Sequence, residues 1–230
     1  MEPYYFNLEF HLTNRCNLNC SYCYHVNHID KNLLSTKQKK KVISDFVELC
    51  RSWQVHPFVI FGGGEPLLAE DFIEIASHYH EVSHGSEYSI VTNGTLFPPK
   101  GIEAMSSHHV RSIQISLDGA NQVDHDAVRG KGTFEKIRKN ILALQKYNFS
   151  LSLNVVLTKN TFNKIADFFS YAKEAGVNAL SFTRMVPVGI GASELDQMLE
   201  PRTLKECFWK YSDKVKVQEF QRAQWILFFV

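Results

Sequence analysis

The 230-residue chain lacks most of the features that would place it quickly. No apolar run approaches the ~18 residues a membrane-spanning helix needs, so no membrane is expected as a partner. The opening stretch MEPYYFNLEFHLTNRC has no basic segment followed by an apolar one. A secretory leader is therefore not expected there, and the chain reads as cytoplasmic. Excess charge of either sign is missing as well: 25 Lys+Arg stand against 24 Asp+Glu. A balance this even gives no reason to expect nucleic acid. There is no Ser/Gly-rich linker, low-complexity segment or internal sequence repeat. Cysteines are few and odd in number: Cys16, Cys20, Cys23, Cys50 and Cys207. The first three fall close together on one short segment, which in a reducing compartment points to a metal rather than to disulfides.

What is present is ordinary globular composition, 44% hydrophobic and 21% charged, in a chain long enough to bury a core. Strand-like and helix-like segments alternate. Tyr4 to Leu12, HPFVIF, YSIVT, SIQISL, SLSLNVVL and ALSFTRM read as strands. Ser35 is a natural N-cap for a helix to about Trp53, with Val42, Phe46, Leu49, Cys50 and Trp53 at helical spacing. Further helices are expected from about Glu70 to His80, after Pro98-Pro99, from Thr133 to about Lys146, from about Phe162 to Ala175, and after Pro201. Gly176 is placed to stop the fifth of these helices. A long loop is expected before Thr133. Six βα units imply a parallel sheet. A closed barrel of eight would need ~250 residues, so the expected fold is α/β, a partial parallel (β/α)6 barrel. Residues 1–200 would form the barrel and 201–230 a C-terminal helix with an apolar tail. The tail, Trp225 to Val230, is too apolar to lie exposed and too short to span a membrane. It is expected either to close the barrel or to open a further domain.

Cys16, Cys20 and Cys23 form C-x3-C-x2-C directly after the first strand. Three thiolates on one loop can wrap a corner of a compact metal centre. Two readings are open. A structural zinc would want a fourth ligand, and His11, His25 and His28 are near in sequence. A [4Fe-4S] cluster on three cysteines would leave one iron without a protein ligand, as a reactive centre requires.

This spacing, with Tyr22 before the last cysteine, resembles the radical S-adenosylmethionine (radical SAM) superfamily, and the likeness runs from Tyr4 to about Gly191. The resemblance implies a [4Fe-4S] cluster on Cys16, Cys20 and Cys23, whose open iron binds SAM. Reductive cleavage of SAM then gives a 5′-deoxyadenosyl radical that takes a hydrogen atom from the substrate. It also implies that the ends of the strands bind SAM. Gly63, Gly64, Glu65 and Pro66 resemble the motif that holds its amino group, with Glu65 as ammonium partner. Thr92 and Asn93 match a Thr-Asn-Gly motif. Ser116 and Asp118 would meet the ribose hydroxyls, Asn154 and Leu157 the nucleoside, Tyr22 the adenine, and Arg129 the SAM carboxylate. His125-Asp126 and Arg129-Gly130 resemble a segment of peptide-modifying members; Arg184 and Pro187-Val188-Gly189 also look family-like, without a role.

The wording CNLNCSYCY, FGGGEPLL, VTNGT and ISLDG is closest to the peptide- and protein-modifying members, such as sulfatase-maturing enzymes. Many of those carry a cysteine-rich SPASM domain. Here only Cys50 and Cys207 follow the triplet, too few for a further cluster. The expected function is hydrogen abstraction from a peptide or protein, as in ribosomal-peptide or sulfatase-type maturation; the expected partners are a peptide or small-molecule substrate, a flavodoxin- or ferredoxin-type electron donor, and a partner chain or absent region completing the barrel. The alternatives are a radical SAM enzyme of cofactor biosynthesis and a non-catalytic iron–sulfur or metal-binding domain. Cys50 and Cys207 read as core, and His78, His80 and His84 as surface. Lys37 and Lys39 to Lys41 read as a solvated face, or as a dock for an acidic donor or leader peptide.

Overall fold

A computed structural model describes residues 4–25, 33–97, 99–107, 110–204 and 226–227. These fall into two compact units, interleaved along the chain. The first comprises Met1–Asn17, Asn27–Gln114 and Ala143–Ser150, and the second Leu18–Val26, Ile115–Leu142 and Leu151–Val230.

In the first unit, strand β1 (Tyr5–Thr13) lies parallel to β2 (His56–Gly63), with Tyr5 opposite His56 and His11 opposite Gly62. A register shift between His11 and Thr13 marks the point where β1 gives way to the cysteine loop. Next to β2 runs β3 (Tyr88–Thr92), also parallel. The crossover between β1 and β2 contains α1 (Thr36–Ser52), and that between β2 and β3 contains α2 (Phe72–Val82). Helix α1 starts where Ser35 and Gln38 form a reciprocal capping box, which satisfies two otherwise orphaned N–H groups. Its buried face is Ile43, Phe46, Val47 and Cys50, at the helical period. The core of the unit is aromatic: Phe61, Phe72, Tyr79 and Tyr88 meet edge to face. The Tyr79 hydroxyl finds the Pro57 carbonyl at 2.9 Å, so its burial leaves no orphan.

Helix α3 (Pro99–Ser107) precedes β4 (Val110–Ser116), within which the chain passes from the first unit to the second. The second unit then holds α4 (Gln122–Arg129), α5 (Thr133–Leu144, whose last residues return to the first unit), β5 (Ser150–Leu157), α6 (Lys159–Phe162), α7 (Ile165–Glu174) and β6 (Ala179–Arg184). β5 and β6 pair in parallel with Asn154 opposite Ser181. Leu153, Val155, Ile137, Phe168 and Phe182 form the core; full burial of such a side chain contributes roughly 2 kcal/mol. Gly176 has φ +62 and ends the α7 turn, as its position suggests.

Two local features differ from expectation, and a third concerns the tail. The segment expected as a long loop contains α4. It is invisible to hydrophobic periodicity because only His125 is buried and Val123 is exposed; Asn121 caps it by accepting the Asp124 N–H at 3.0 Å. The single helix expected from Phe162 is two, α6 and α7, with Thr158 and Thr161 capping the first. Ile226–Leu227 of the tail pairs in parallel with Ser181 and Phe182 of β6 as a two-residue β7. The rest of the tail, Cys207 and His28 lie outside the described residues. No helix among those described is long and apolar enough to cross a membrane.

The lysines of α1 are largely spoken for. The buried Lys39 ammonium meets Asp71 at 2.9 Å, Lys40 meets Glu74, and Lys41 meets Asp45. A row of uncompensated positive charge for docking is therefore not what this face offers. Lys39→Ala should destabilise the protein by about 3 kcal/mol, because it strands the Asp71 carboxylate in a nearly dry site. Lys41→Ala, at an exposed pair, should change stability by less than about 0.5 kcal/mol. Urea titration of the two apoprotein variants measures the contrast.

Candidate active site

In the first unit, the candidate residues are built around the turn after β2. A Cβ on Gly64 would lie 2.4 Å from the Arg15 carbonyl oxygen and 2.5 Å from that of Asn14. Only glycine lets the turn reach the backbone leading into Cys16. The gap is closed by main-chain bonds: Gly64 N–H donates to Thr13 O at 2.9 Å and Glu65 N–H to Arg15 O at 2.8 Å. Gly63 takes φ +124, and buried Pro66 opens a short 3-10 turn.

Glu65 is fully buried. One carboxylate oxygen accepts from the Thr92 hydroxyl at 2.7 Å and the Leu67 N–H at 3.2 Å; the other accepts from the Asn93 N–H at 2.8 Å. Its observed task is to join the β2 turn to the end of β3. Thr92 and Asn93 are themselves buried. Their side chains turn inward: Thr92 accepts from Gly94 N–H, and Asn93 engages Thr95, Asn17 and the Cys16 sulfur. Cys16 is half-buried and belongs to this unit.

Cys20 and Cys23, both half-buried, belong to the second unit. There Cys23 N–H closes a turn on Cys20 O, and Ser21 N–H donates to Val128 O of α4 at 3.1 Å. Gly191 N–H donates to Cys23 O at 3.1 Å. Gly189, at φ +62, sits where a Cβ would be 2.1 Å from the Tyr24 carbonyl oxygen. The Pro187-Val188-Gly189 stretch, which sequence left without a role, thus clamps the chain just after the last cysteine. Only the backbone carries this task, so nothing in the side-chain pattern announces it.

Asp118 is the buried carboxylate of the second unit. Arg129 Nε donates to Oδ2 in a short ion pair, Val156 N–H donates to Oδ1 at 3.2 Å, and the Asp118 N–H donates to His125 Nδ1 at 3.2 Å. Arg129, with a side chain only 11% exposed, is committed to this pair. Asp126 receives Gly132 N–H at 2.6 Å and Phe134 N–H at 3.0 Å, and so secures the start of α5. The His-Asp…Arg segment is therefore an internal frame. Tyr22 lies beside Asp118; burial, and then that carboxylate, push its phenol well above the usual range and keep it protonated.

Ser116 stands half-exposed at the end of β4. Asn154 is half-exposed on β5, its amide donating to Thr183 at 3.2 Å and accepting from Ser181 at 2.9 Å. Leu157 is three positions on, and so on the opposite, buried face of the strand. Asn154 and Leu157 cannot face the same ligand from a regular strand. A polar cavity of about 370 Å³ in this unit is bordered by Tyr22, Asp118, Asp124, Thr158 and Lys164, but not by Ser116 or Asn154. Among the described residues no three of His, Cys, Asp and Glu are gathered as around a single metal ion.

Comparison with known proteins places this arrangement. Residues 10–172 match the model of the radical SAM superfamily. The chain is 31% identical over 207 residues to an AdoMet-dependent heme synthase of Methanosarcina barkeri, covering 89% of this chain and 57% of that protein. It is 33% identical over 193 residues to the mycofactocin maturase MftC of Mycolicibacterium smegmatis, covering 83% and 47%. Among solved structures it resembles Streptococcus suis SuiB bound to precursor peptide SuiA, with TM-score 0.80 at 17% identity, over 98% of this chain and 49% of that one. Native anSMEcpe with bound AdoMet gives TM-score 0.75 at 23% identity, over 92% and 60%.

The fold is thus the open, partial α/β barrel of these enzymes. The chain belongs to the radical SAM superfamily, whose members use a [4Fe-4S] cluster and SAM. It spans about half the length of the relatives it matches.

Two outcomes test this geometry. Gly64→Ala should force the turn off the Thr13–Arg15 backbone and cut iron uptake on anaerobic reconstitution at least severalfold, read by iron analysis. His125, buried and facing Arg129, has its pKa lowered to about 4. The unfolded chain takes up that proton as pH falls through about 6.5, before the folded one does. Its contribution is therefore complete above that value and lost between about 6.5 and 4, up to about 3 kcal/mol. His125→Gln should flatten the pH dependence of apoprotein unfolding in that window. The carboxyl groups of Asp124 and Asp126, lowered from 3.8, act below it.

Proposed function

We propose that this chain is the core of a radical SAM enzyme acting on a peptide. The observation that carries the reading is the cysteine loop, anchored by backbone hydrogen bonds immediately before Cys16 and at Cys23. Cys16, Cys20 and Cys23, each half-buried, would hold a [4Fe-4S] cluster that leaves a position for SAM. A zinc on the same three cysteines would want a fourth ligand.

When bound, the pair supplies reductive cleavage of the SAM sulfonium bond and removal of a hydrogen atom from the substrate. The chain's own residues position and shield. Ser116 and Asn154 offer hydrogen-bonding groups for the ribose hydroxyls. Tyr22, held neutral, offers an aromatic wall without adding charge beside Asp118. Glu65 and Asp118 act one step back, their carboxylates holding the strand ends, and Arg129 braces Asp118 through its Nε. Thr92 and Asn93 belong with them.

A peptide substrate is supported by the similarity to a mycofactocin maturase and by the fold shared with SuiB, solved with its precursor peptide. The similarity to an AdoMet-dependent heme synthase makes a tetrapyrrole the second reading. A flavodoxin- or ferredoxin-type protein would supply the electron.

Anaerobic reconstitution should yield about four irons and four sulfides per chain, and SAM with dithionite should yield 5′-deoxyadenosine. Cys16→Ala, Cys20→Ala and Cys23→Ala should each abolish that product with little change in apoprotein stability. Stoichiometric zinc without iron, after anaerobic purification, would defeat the reading. Deuterium transfer into 5′-deoxyadenosine from a labelled precursor peptide, and not from a labelled porphyrin, separates the two substrate classes.

A further inference from the structure

Asn93 is 6% exposed at the end of β3, and every polar atom of its side chain is engaged. Its Oδ1 accepts from Thr95 N–H at 2.9 Å and from the Thr95 hydroxyl at 2.6 Å. Two donors on that atom fix which end of the amide is oxygen. The two Nδ2 protons therefore point the other way. One goes to Asn17 Oδ1 at 2.9 Å, and the other to the sulfur of Cys16 at 3.8 Å. Asn17 Nδ2 returns to the Thr95 hydroxyl at 2.9 Å and closes the ring. The Asn93 backbone is held in turn by Glu65. This is an amide that cannot rotate, aimed at one thiol of the cysteine loop.

We propose that Asn93 is a positioning residue for the iron–sulfur centre: its Nδ2–H donates to the Cys16 thiolate and raises the reduction potential of the cluster that Cys16 holds. The proposal rests on the functional reading above. A hydrogen bond to a ligating sulfur stabilises the reduced, more negative cluster more than the oxidised one, which shifts the potential upward. The donor is already oriented by Thr95 and Glu65, so no rearrangement is needed when the electron arrives. Its neighbour in sequence and in the same motif, Thr92, makes no such bond; it is spent on Glu65 and Gly94. The two residues that sequence would group as one SAM-binding motif thus have separate tasks.

The test is an EPR-monitored redox titration of the reconstituted 230-residue chain, with iron analysis in parallel. Asn93→Leu keeps the volume and removes the donor. Asn93→Asp keeps an acceptor for Thr95, removes the donor and adds a negative charge. Both should hold close to wild-type iron. The reduction equilibrium should become about tenfold less favourable in the Leu variant, about 59 mV for one electron, and more so in the Asp variant. Unchanged potentials on intact clusters would overturn the proposal while leaving the functional reading standing. A wild-type chain that takes up no cluster would remove both. Should neither variant retain iron, wild-type protein labelled with side-chain 15N-asparagine decides: hyperfine coupling of that nitrogen to the reduced cluster supports the bond, and its absence overturns it.

Discussion

A carboxylate at 0% exposure, Glu65, is the interaction on which the candidate residues of the first unit depend. Burying that charge costs several kcal/mol unless the hydrogen bonds around it are complete. Here three donors from two strand ends converge on its two oxygens. Charge-assisted bonds of this kind are each stronger than a neutral pair. The turn after β2 and the end of β3 are locked to one another, and the β2 turn grips the backbone ahead of Cys16. Removing the carboxylate would leave a buried hydroxyl and two buried amides without their acceptor, so the loss would fall first on the loop geometry.

The second unit solves the same problem with different parts. Asp118 is buried, its oxygens receive Arg129 and the Val156 amide, and its own amide rests on His125. Three segments meet there: the end of β4, α4 through His125 and Arg129, and β5 through Val156. The neutral imidazole is part of the design, since a protonated His125 would have no lone pair for the Asp118 N–H and would sit against the Arg129 charge. Ser21 hangs from the same helix through Val128, which gives the cysteine loop its footing in this unit.

Much of this was legible in the sequence, and the reasons can be stated residue by residue. The α1 start followed from Ser35, because an N-cap is local chemistry; Gln38, which completes the box, was not read. The strands followed from short runs of β-branched and aromatic residues between helices. The triplet of cysteines was plain because three thiols fall on one short loop, and the Gly-Gly-Glu and Ser-Leu-Asp-Gly motifs at the strand ends pointed to the radical SAM reading. α4 was not legible, because a helix with one buried side chain has no apolar period to read. Gly189 and Gly191 were seen but could not be assigned, since what they do is admit a neighbouring carbonyl and offer an N–H to another. Leu157 was paired with Asn154 by motif, although strand alternation already puts them on opposite faces.

The deeper limit concerns the charged residues. A sequence shows that a carboxylate or guanidinium stands at a strand end, and charge complementarity then suggests a ligand for it. What decides between touching a ligand and building the site is whether its bonding capacity is already spent. Glu65 and Asp118 each have both oxygens engaged by protein donors, and Arg129 gives its Nε to Asp118. The cysteines, Ser116 and Asn154 keep part of their surface open. Division of labour follows from the physics of a reactive centre: groups that meet the cofactor must be positioned to better than about half an ångström. Flexible, solvated charges cannot provide that. Buried, saturated ones can, by fixing the backbone from which smaller polar side chains and thiols project. A motif written Gly-Gly-Glu or Ser-Leu-Asp-Gly therefore describes scaffold and contact together, and here the acidic residue in each belongs to the scaffold.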